Sequence, residues 1–277
     1  FLSQPTSEGR DVASLALPDN QDQLVSAVAA ANPWTIVVLE TGGPVTMPWI
    51  DSVRAVLAAW YPGIRGAEAM ANILFGEVNP SAKLPVTFPQ SEADLPHPKI
   101  AAPPPPPPGA APAPGAPGGP GGFRMSLTPF DINYTEGLKV GYKWYDAEGK
   151  QPLFPFGFGL SYTTYAYSGL RVTAAGREVT LSFSVRNTGK RGGAEIAQVY
   201  VGLPATAGEP PKRLVAWEKV QLAPGESKTV SLKLDPWYLS VFNVDKDDWE
   251  LLPGEYKVFV GGSSRETPLA GTFRLGS

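Results

Sequence analysis

The chain has 277 residues, 43% hydrophobic and 18% charged, enough apolar content for two cores, with a formal net charge of −3 and a pI near 5.4. No basic excess is available to neutralise phosphates, which argues against a nucleic-acid partner, and no apolar run approaches the roughly 20 residues that span a bilayer. Cysteine is absent and His97 is the single histidine, so disulfides, thiolate zinc sites and cysteine nucleophiles are excluded.

A Ser-His-Asp triad would have to use His97, which sits between prolines in DLPHPKI and reads as a solvated loop residue. Lack of cysteine leaves the compartment open, with a periplasmic or secreted place favoured. No charged-then-apolar signal segment follows Phe1, which a mature, processed or truncated start explains equally well.

The first 88 residues read as α/β. The stretch TSEGRDVASLALPDNQDQL places Glu8 beside Gly9 and runs into a helix start. Residues 19–31 form a short helix that Asp19 or Asn20 can cap, with Leu24, Val25 and Val28 as its apolar face. TIVVLE, residues 35–40, has the composition of a buried parallel strand, and Gly42-Gly43-Pro44 breaks it. AVLAAW, residues 55–60, is a second strand. Residues 64–75 form a helix that Gly76 ends in the usual C′ place. Strand, helix, strand, helix implies a parallel sheet. With only about two strands, the sheet is expected to need more sequence upstream.

Residues 89–162 read as a connection. Residues 101–122 hold ten prolines, and Pro103 to Pro108 should adopt polyproline II before a floppy glycine-rich end. A surface insertion explains this better than a ligand for a Pro-binding module. YTEGLKVGYKWYD and PLFPFGFGLSYTTY are dense in aromatics and glycine. They are expected to pack, the first as an aromatic strand flanked by Glu136 and Asp146 in ion-pair or hydrogen-bond roles.

Residues 163–277 read as all-β. Val179, Leu181, Phe183 and Val185 alternate with polar residues, the period of a strand with one face buried. Residues 197–201, 230–234 and 256–260 repeat the pattern, and NTGK, APGES and LPGEY mark turns between runs. About seven short strands point to a β-sandwich. Charge also shifts along the chain. Residues 1–88 hold 4 basic and 8 acidic residues, while residues 163–277 hold 14 and 12, which fits two separate domains. Asp247-Asp248 reads as a solvated turn. Trp49, Trp60 and Tyr61, at strand ends, read as core or interface rather than as ligand-stacking rings.

In order, SEGRD-x-x-SLALP-x-NQ, AAANPWTIVVLETGGPVTMPW, AAWYPGIRGAEAMANILFGEVNPSAKLPVTFP, YTEGLKVGYKWYD and PLFPFGFGLSYT resemble glycoside hydrolase family 3, its β-glucosidase-like members. The resemblance covers nearly the whole chain. It implies the end of an α/β sandwich domain followed by a fibronectin type III-like, immunoglobulin-like β-sandwich. An N-terminal (β/α)8 barrel carrying the aspartate nucleophile would be the partner, on the same or a separate chain. The implied activity is retaining exo-hydrolysis of terminal β-linked sugars from oligosaccharides or glycosides, with no cofactor and no metal.

In such enzymes the acid/base is a glutamate on a loop before an LALPGNQ-like helix start, which here is Glu8. From the residues alone, Glu8 is only a carboxylate beside a flexible glycine. Two departures stand out. Relatives commonly read EG-x-DR where this chain has Glu8-Gly9-Arg10-Asp11-Val12, and FGHGLSYT where Phe158 replaces the histidine. The first puts loop geometry in doubt, although Arg10 can substitute. A non-catalytic carbohydrate-binding or scaffold fragment, a β-xylosidase-type specificity and an acid/base borne by the barrel are the competing readings.

Overall fold

The computed structural model describes residues 2–4, 12, 14–99 and 131–276. The chain forms two compact units: Phe1–Tyr61 with Ser91–Gly137, and Pro62–Gln90 with Leu138–Ser277. The Pro-rich run 101–122 lies outside the described residues.

The first unit holds a parallel sheet of three strands, β1 (Leu2–Gln4), β2 (Ile36–Thr41) and β3 (Ala55–Ala58), in the order β1-β2-β3. The sequence shows only two of these, because three residues are too few to display a period. Central β2 buries Val37, Val38 and Leu39, as a strand flanked on both edges should. Trp60, at φ 54, follows β3 two residues on.

Helix α1 (Gln21–Ala31) precedes β2. Its expected cap is not made. Asn20 occupies the N-cap position in the left-handed region, φ 58 and ψ 25, and its side chain accepts no capping hydrogen bond. The apolar face is also narrower than expected: Val25 and Ala29 are buried, whereas Leu24 and Val28 are exposed. Trp49 is buried, and its indole N–H donates to Asp22 Oδ1 on α1 at 2.6 Å, tying the 3-10 turn after β2 to the helix.

The second unit is a β-sandwich with helix α2 (Gly66–Leu74) and helix α3 (Tyr142–Ala147). Gly76, at φ +80, follows the C-cap of α2, the place where a left-handed residue ends a helix. α3 overturns the expected aromatic strand. Tyr and Trp favour strands only weakly against packing, and here the helical turn buries Tyr145 and places the Tyr142 oxygen where Leu214 N–H donates to it at 2.7 Å.

The sandwich strands are β4 (Tyr165–Ala175), β5 (Glu178–Asn187), β6 (Gly193–Gly202), β7 (Arg213–Leu222), β8 (Ser227–Leu234), β11 (Gly254–Gly261) and β12 (Leu269–Leu275). One sheet runs β12-β11-β6-β7, the other β4-β5-β8, all antiparallel. Val179, Leu181, Phe183 and Val185 of β5 meet Ala197, Val199, Val201, Val258 and Val260 in one core. A hairpin of β9 (Val241–Asn243) and β10 (Asp248–Glu250) pairs only with itself.

The connecting motifs lock onto this sandwich. Residues 84–88 run against 154–158 through Leu84 N to Phe158 O (2.7 Å), Gly157 N to Leu84 O (2.8 Å) and Phe88 N to Phe154 O (2.9 Å). Asn79 Oδ1 accepts from Ser161 Oγ (2.9 Å) and Tyr162 N (2.7 Å), while its amide donates to Gly192 O (3.0 Å). One asparagine thus links three loops.

Candidate functional site

Glu8, the candidate acid/base, lies outside the described residues, but its flanks are defined. Four residues ahead of it, Gln4 ends β1 at the carboxyl edge of the parallel sheet, the edge where open α/β sheets present their ligands. Gln4 is buried. Its amide donates to Ser14 O at 3.2 Å and Ala16 O at 3.3 Å, so the two ends of the Glu8 segment are tied together.

A second carboxylate holds the far end. Ser14 Oγ donates to Glu92 Oε1 at 2.6 Å, and Leu15 N donates to the same oxygen. The Ser14 hydroxyl, with the Leu15 amide, holds the Glu92 carboxyl below its usual range. Thr46 N donates to Leu15 O at 2.9 Å, binding this flank to the chain that follows β2. Glu92 itself sits in a 3-10 turn with a capping box: Ser91 Oγ accepts from Ala93 N, and Ser91 N donates to Asp94 Oδ2. The spacing Ser91-x-x-Asp94 is a readable start signal. Its bearing on residues 14 and 15, nearly eighty positions upstream, has no local sequence signature.

Glu136 and Asp146 are each held in ion pairs. Glu136 Oε2 meets His97 Nε2 at 2.6 Å, so the single histidine is paired, and that contact lowers the Glu136 pKa. Asp146 is buried between Lys212 Nζ (3.2 Å) and Arg265 Nε (3.0 Å). Both match the ion-pair role expected of them. Asp247 takes φ 51 in the turn of the β9–β10 hairpin, and Asp248 begins β10. Of the three aromatics able to stack on a sugar, Trp49 is core, Trp60 is half-buried and Tyr61 is exposed. Among the described residues, no group of three or more His, Cys, Asp or Glu is placed to hold a metal ion.

A single carboxylate on a segment tethered at both ends can move a proton. It cannot by itself provide the pair of carboxyl groups that a double displacement needs.

The family model described as "Glycosyl hydrolase family 3 C-terminal domain" matches residues 1–162, and the one described as "Fibronectin type III-like domain" matches residues 195–264. Beta-glucosidase B of Emericella nidulans is 40% identical over 270 residues, covering 94% of this chain and 30% of that protein. Thermostable beta-glucosidase B of Acetivibrio thermocellus is 40% identical over 276 residues, covering 98% of this chain and 33% of its own length. Among solved structures, the β-glucosidase DesR of Streptomyces venezuelae, in complex with D-glucose, superposes with a TM-score of 0.85 at 40% identity. That match covers 99% of this chain and 33% of DesR. The chain therefore spans about a third of the length of the relatives it matches.

Proposed function

The chain belongs to glycosyl hydrolase family 3 through its C-terminal domain, and on that premise we propose that it works as the C-terminal portion of a retaining exo-β-glycosidase of the β-glucosidase kind. The observation that carries this reading is 40% identity over nearly the whole chain to proteins named β-glucosidases.

The substrate is a terminal β-linked sugar of an oligosaccharide or glycoside. An N-terminal (β/α)8 barrel supplies the aspartate nucleophile at the carboxyl end of its strands, where barrel active sites lie. Glu8 supplies the second carboxyl, about 5–5.5 Å from the first in a retaining site. In the first step Glu8 gives its proton to the departing glycosidic oxygen as the aspartate attacks the anomeric carbon. In the second, the Glu8 carboxylate takes a proton from water as that water displaces the aspartate. Neither step calls on a metal or an organic cofactor.

Uncovered apolar surface in the first unit supports a further portion. Leu24 and Val28 on α1 are exposed, and no residue of β3 is fully buried. Parallel sheets are ordinarily covered on both faces. The test is complementation. The 277-residue chain alone is expected to leave an aryl β-glucoside intact, and adding the barrel portion to restore hydrolysis. Turnover by the homogeneous chain alone would overturn the divided site.

A further inference from the structure

Gln4 closes β1 with a buried amide, although an apolar side chain would fill a strand end without the cost of desolvating one. Both bonds made by its Nε2 go to main-chain carbonyls, Ser14 O at 3.2 Å and Ala16 O at 3.3 Å. Its register partner on β2 is Thr41, itself buried, so the amide is held at the carboxyl edge of the sheet.

Residues 14–16 belong to no helix or strand, yet they are fixed from three sides. Gln4 holds the carbonyls of Ser14 and Ala16. Glu92 Oε1 accepts from Ser14 Oγ at 2.6 Å and from Leu15 N. Thr46 N, in the chain after β2, donates to Leu15 O at 2.9 Å, and Ala16 N donates to Ser14 Oγ at 3.0 Å. Backbone groups that a helix or strand would pair are thus met largely by side chains. Of the three anchors only Gln4 is buried, so its bonds are the least open to replacement by water.

We infer that Gln4 is a positioning residue of the hydrolytic site: it fixes the limb on which the Glu8 segment returns, and with it the place where Glu8 offers its proton. The inference rests on the proposed acid/base role of Glu8. Gln4 acts through the segment and not on the substrate. A proton donor must come within hydrogen-bond reach of the departing oxygen, and a misplacement of about 1 Å can cost about a hundredfold in rate.

The test uses the complete enzyme with three substitutions. Gln4→Met keeps the side-chain length and removes both donors. Val25→Ala opens a cavity under α1 in the same unit and serves as the packing control. Glu8→Ala reports on the acid/base role itself. Melting curves accompany kcat/KM on an alkyl and a dinitrophenyl β-glucoside. Gln4→Met should lose about ten- to a hundredfold on the alkyl glucoside and keep most of its rate on the dinitrophenyl one. Val25→Ala should change the two rates alike. Equal loss on both substrates in Gln4→Met, beside a split in Glu8→Ala, overturns the positioning role and leaves Glu8 its own. A uniform loss in Glu8→Ala removes the acid/base reading and the inference with it. Should Gln4→Met fail to fold, Gln4→Asn, with its amide one methylene shorter, is judged by the same split.

Discussion

Lys83 Nζ lies 3.0 Å from Glu195 Oε1, with the Glu195 side chain buried and the Lys83 side chain mostly covered. Lys83 comes from the KLP turn of the connecting motif, Glu195 from the start of β6, so the pair joins the segment 62–90 to the sandwich within one unit. Tyr167 O–H donates to the same carboxylate oxygen at 2.9 Å. Burial lifts the Glu195 carboxyl above its usual range, with Lys83 and Tyr167 opposing.

Removing the cation should therefore cost more than the pair contributes. Lys83→Met leaves Glu195 buried without its counter-charge, and roughly 3–5 kcal/mol should be lost in urea unfolding. Replacing both, as Lys83→Met with Glu195→Leu, should recover much of that loss. The sign with pH follows from the raised pKa. The folded state holds the proton more tightly, so the carboxyl's contribution is complete at low pH and is lost as pH rises through the folded pKa. Glu195→Gln should flatten that part of the stability profile.

Gly157 has φ +81, and a Cβ there would sit 2.1 Å from Gln198 Oε1. That glutamine cannot swing aside freely: its amide donates to Gly157 O (3.0 Å) and Gly262 O (2.6 Å), and Tyr200 O–H donates to its oxygen. Gly157→Ala should cost roughly 2–4 kcal/mol, combining left-handed strain with overpacking. Gly149→Ala is the comparison, at φ +63 with open space around it, and should show the strain alone.

In the complete enzyme, Glu8→Ala should hurt most when the leaving group is poor. Loss of general acid catalysis predicts a fall of about 10²–10⁴-fold on unactivated glucosides. Dinitrophenyl glucosides need no proton at departure, so they should still form the glycosyl-enzyme and then stall. Azide should speed that second step and yield a β-glycosyl azide. A uniform loss for good and poor leaving groups, with no azide product, would assign Glu8 a structural role.

Glu92 offers a separate handle on the same segment. Its carboxyl, lowered by the Ser14 and Leu15 hydrogen bonds, contributes stability above the usual carboxylate range and loses it as the pH falls through the depressed value. Glu92→Gln should remove that acid-side dependence. If the proposed acid/base role of Glu8 holds, Glu92→Gln in the complete enzyme should also lower kcat on poor leaving groups while sparing activated ones, because it frees Ser14 and Leu15 on the C-terminal side of that segment. Equal losses on both substrates would show that Glu92 has no such influence.

Much of the architecture was legible in the residues because it rests on local regularity. The alternation of Val179, Leu181, Phe183 and Val185 can bury one face only as a strand, and TIVVLE suits the buried middle of a parallel sheet. NTGK, APGES and LPGEY place turns where the strands end. Gly76 ends α2 because few other residues accept its φ. What remained hidden depends on partners distant in sequence. Leu2–Gln4 becomes a strand through pairing with Leu39, Glu40 and Thr41. Tyr142–Ala147 becomes a helix against strand-forming side chains because packing outweighs a weak preference. Asn20 leaves its capping role because its own backbone turns left-handed. Gln4 with Ser14, Ser14 with Glu92, and Lys83 with Glu195 are contacts between residues that no period relates. Local pattern selects elements through short-range sterics and burial, whereas the placing of buried polar groups is decided only when the folded chain brings donor and acceptor together.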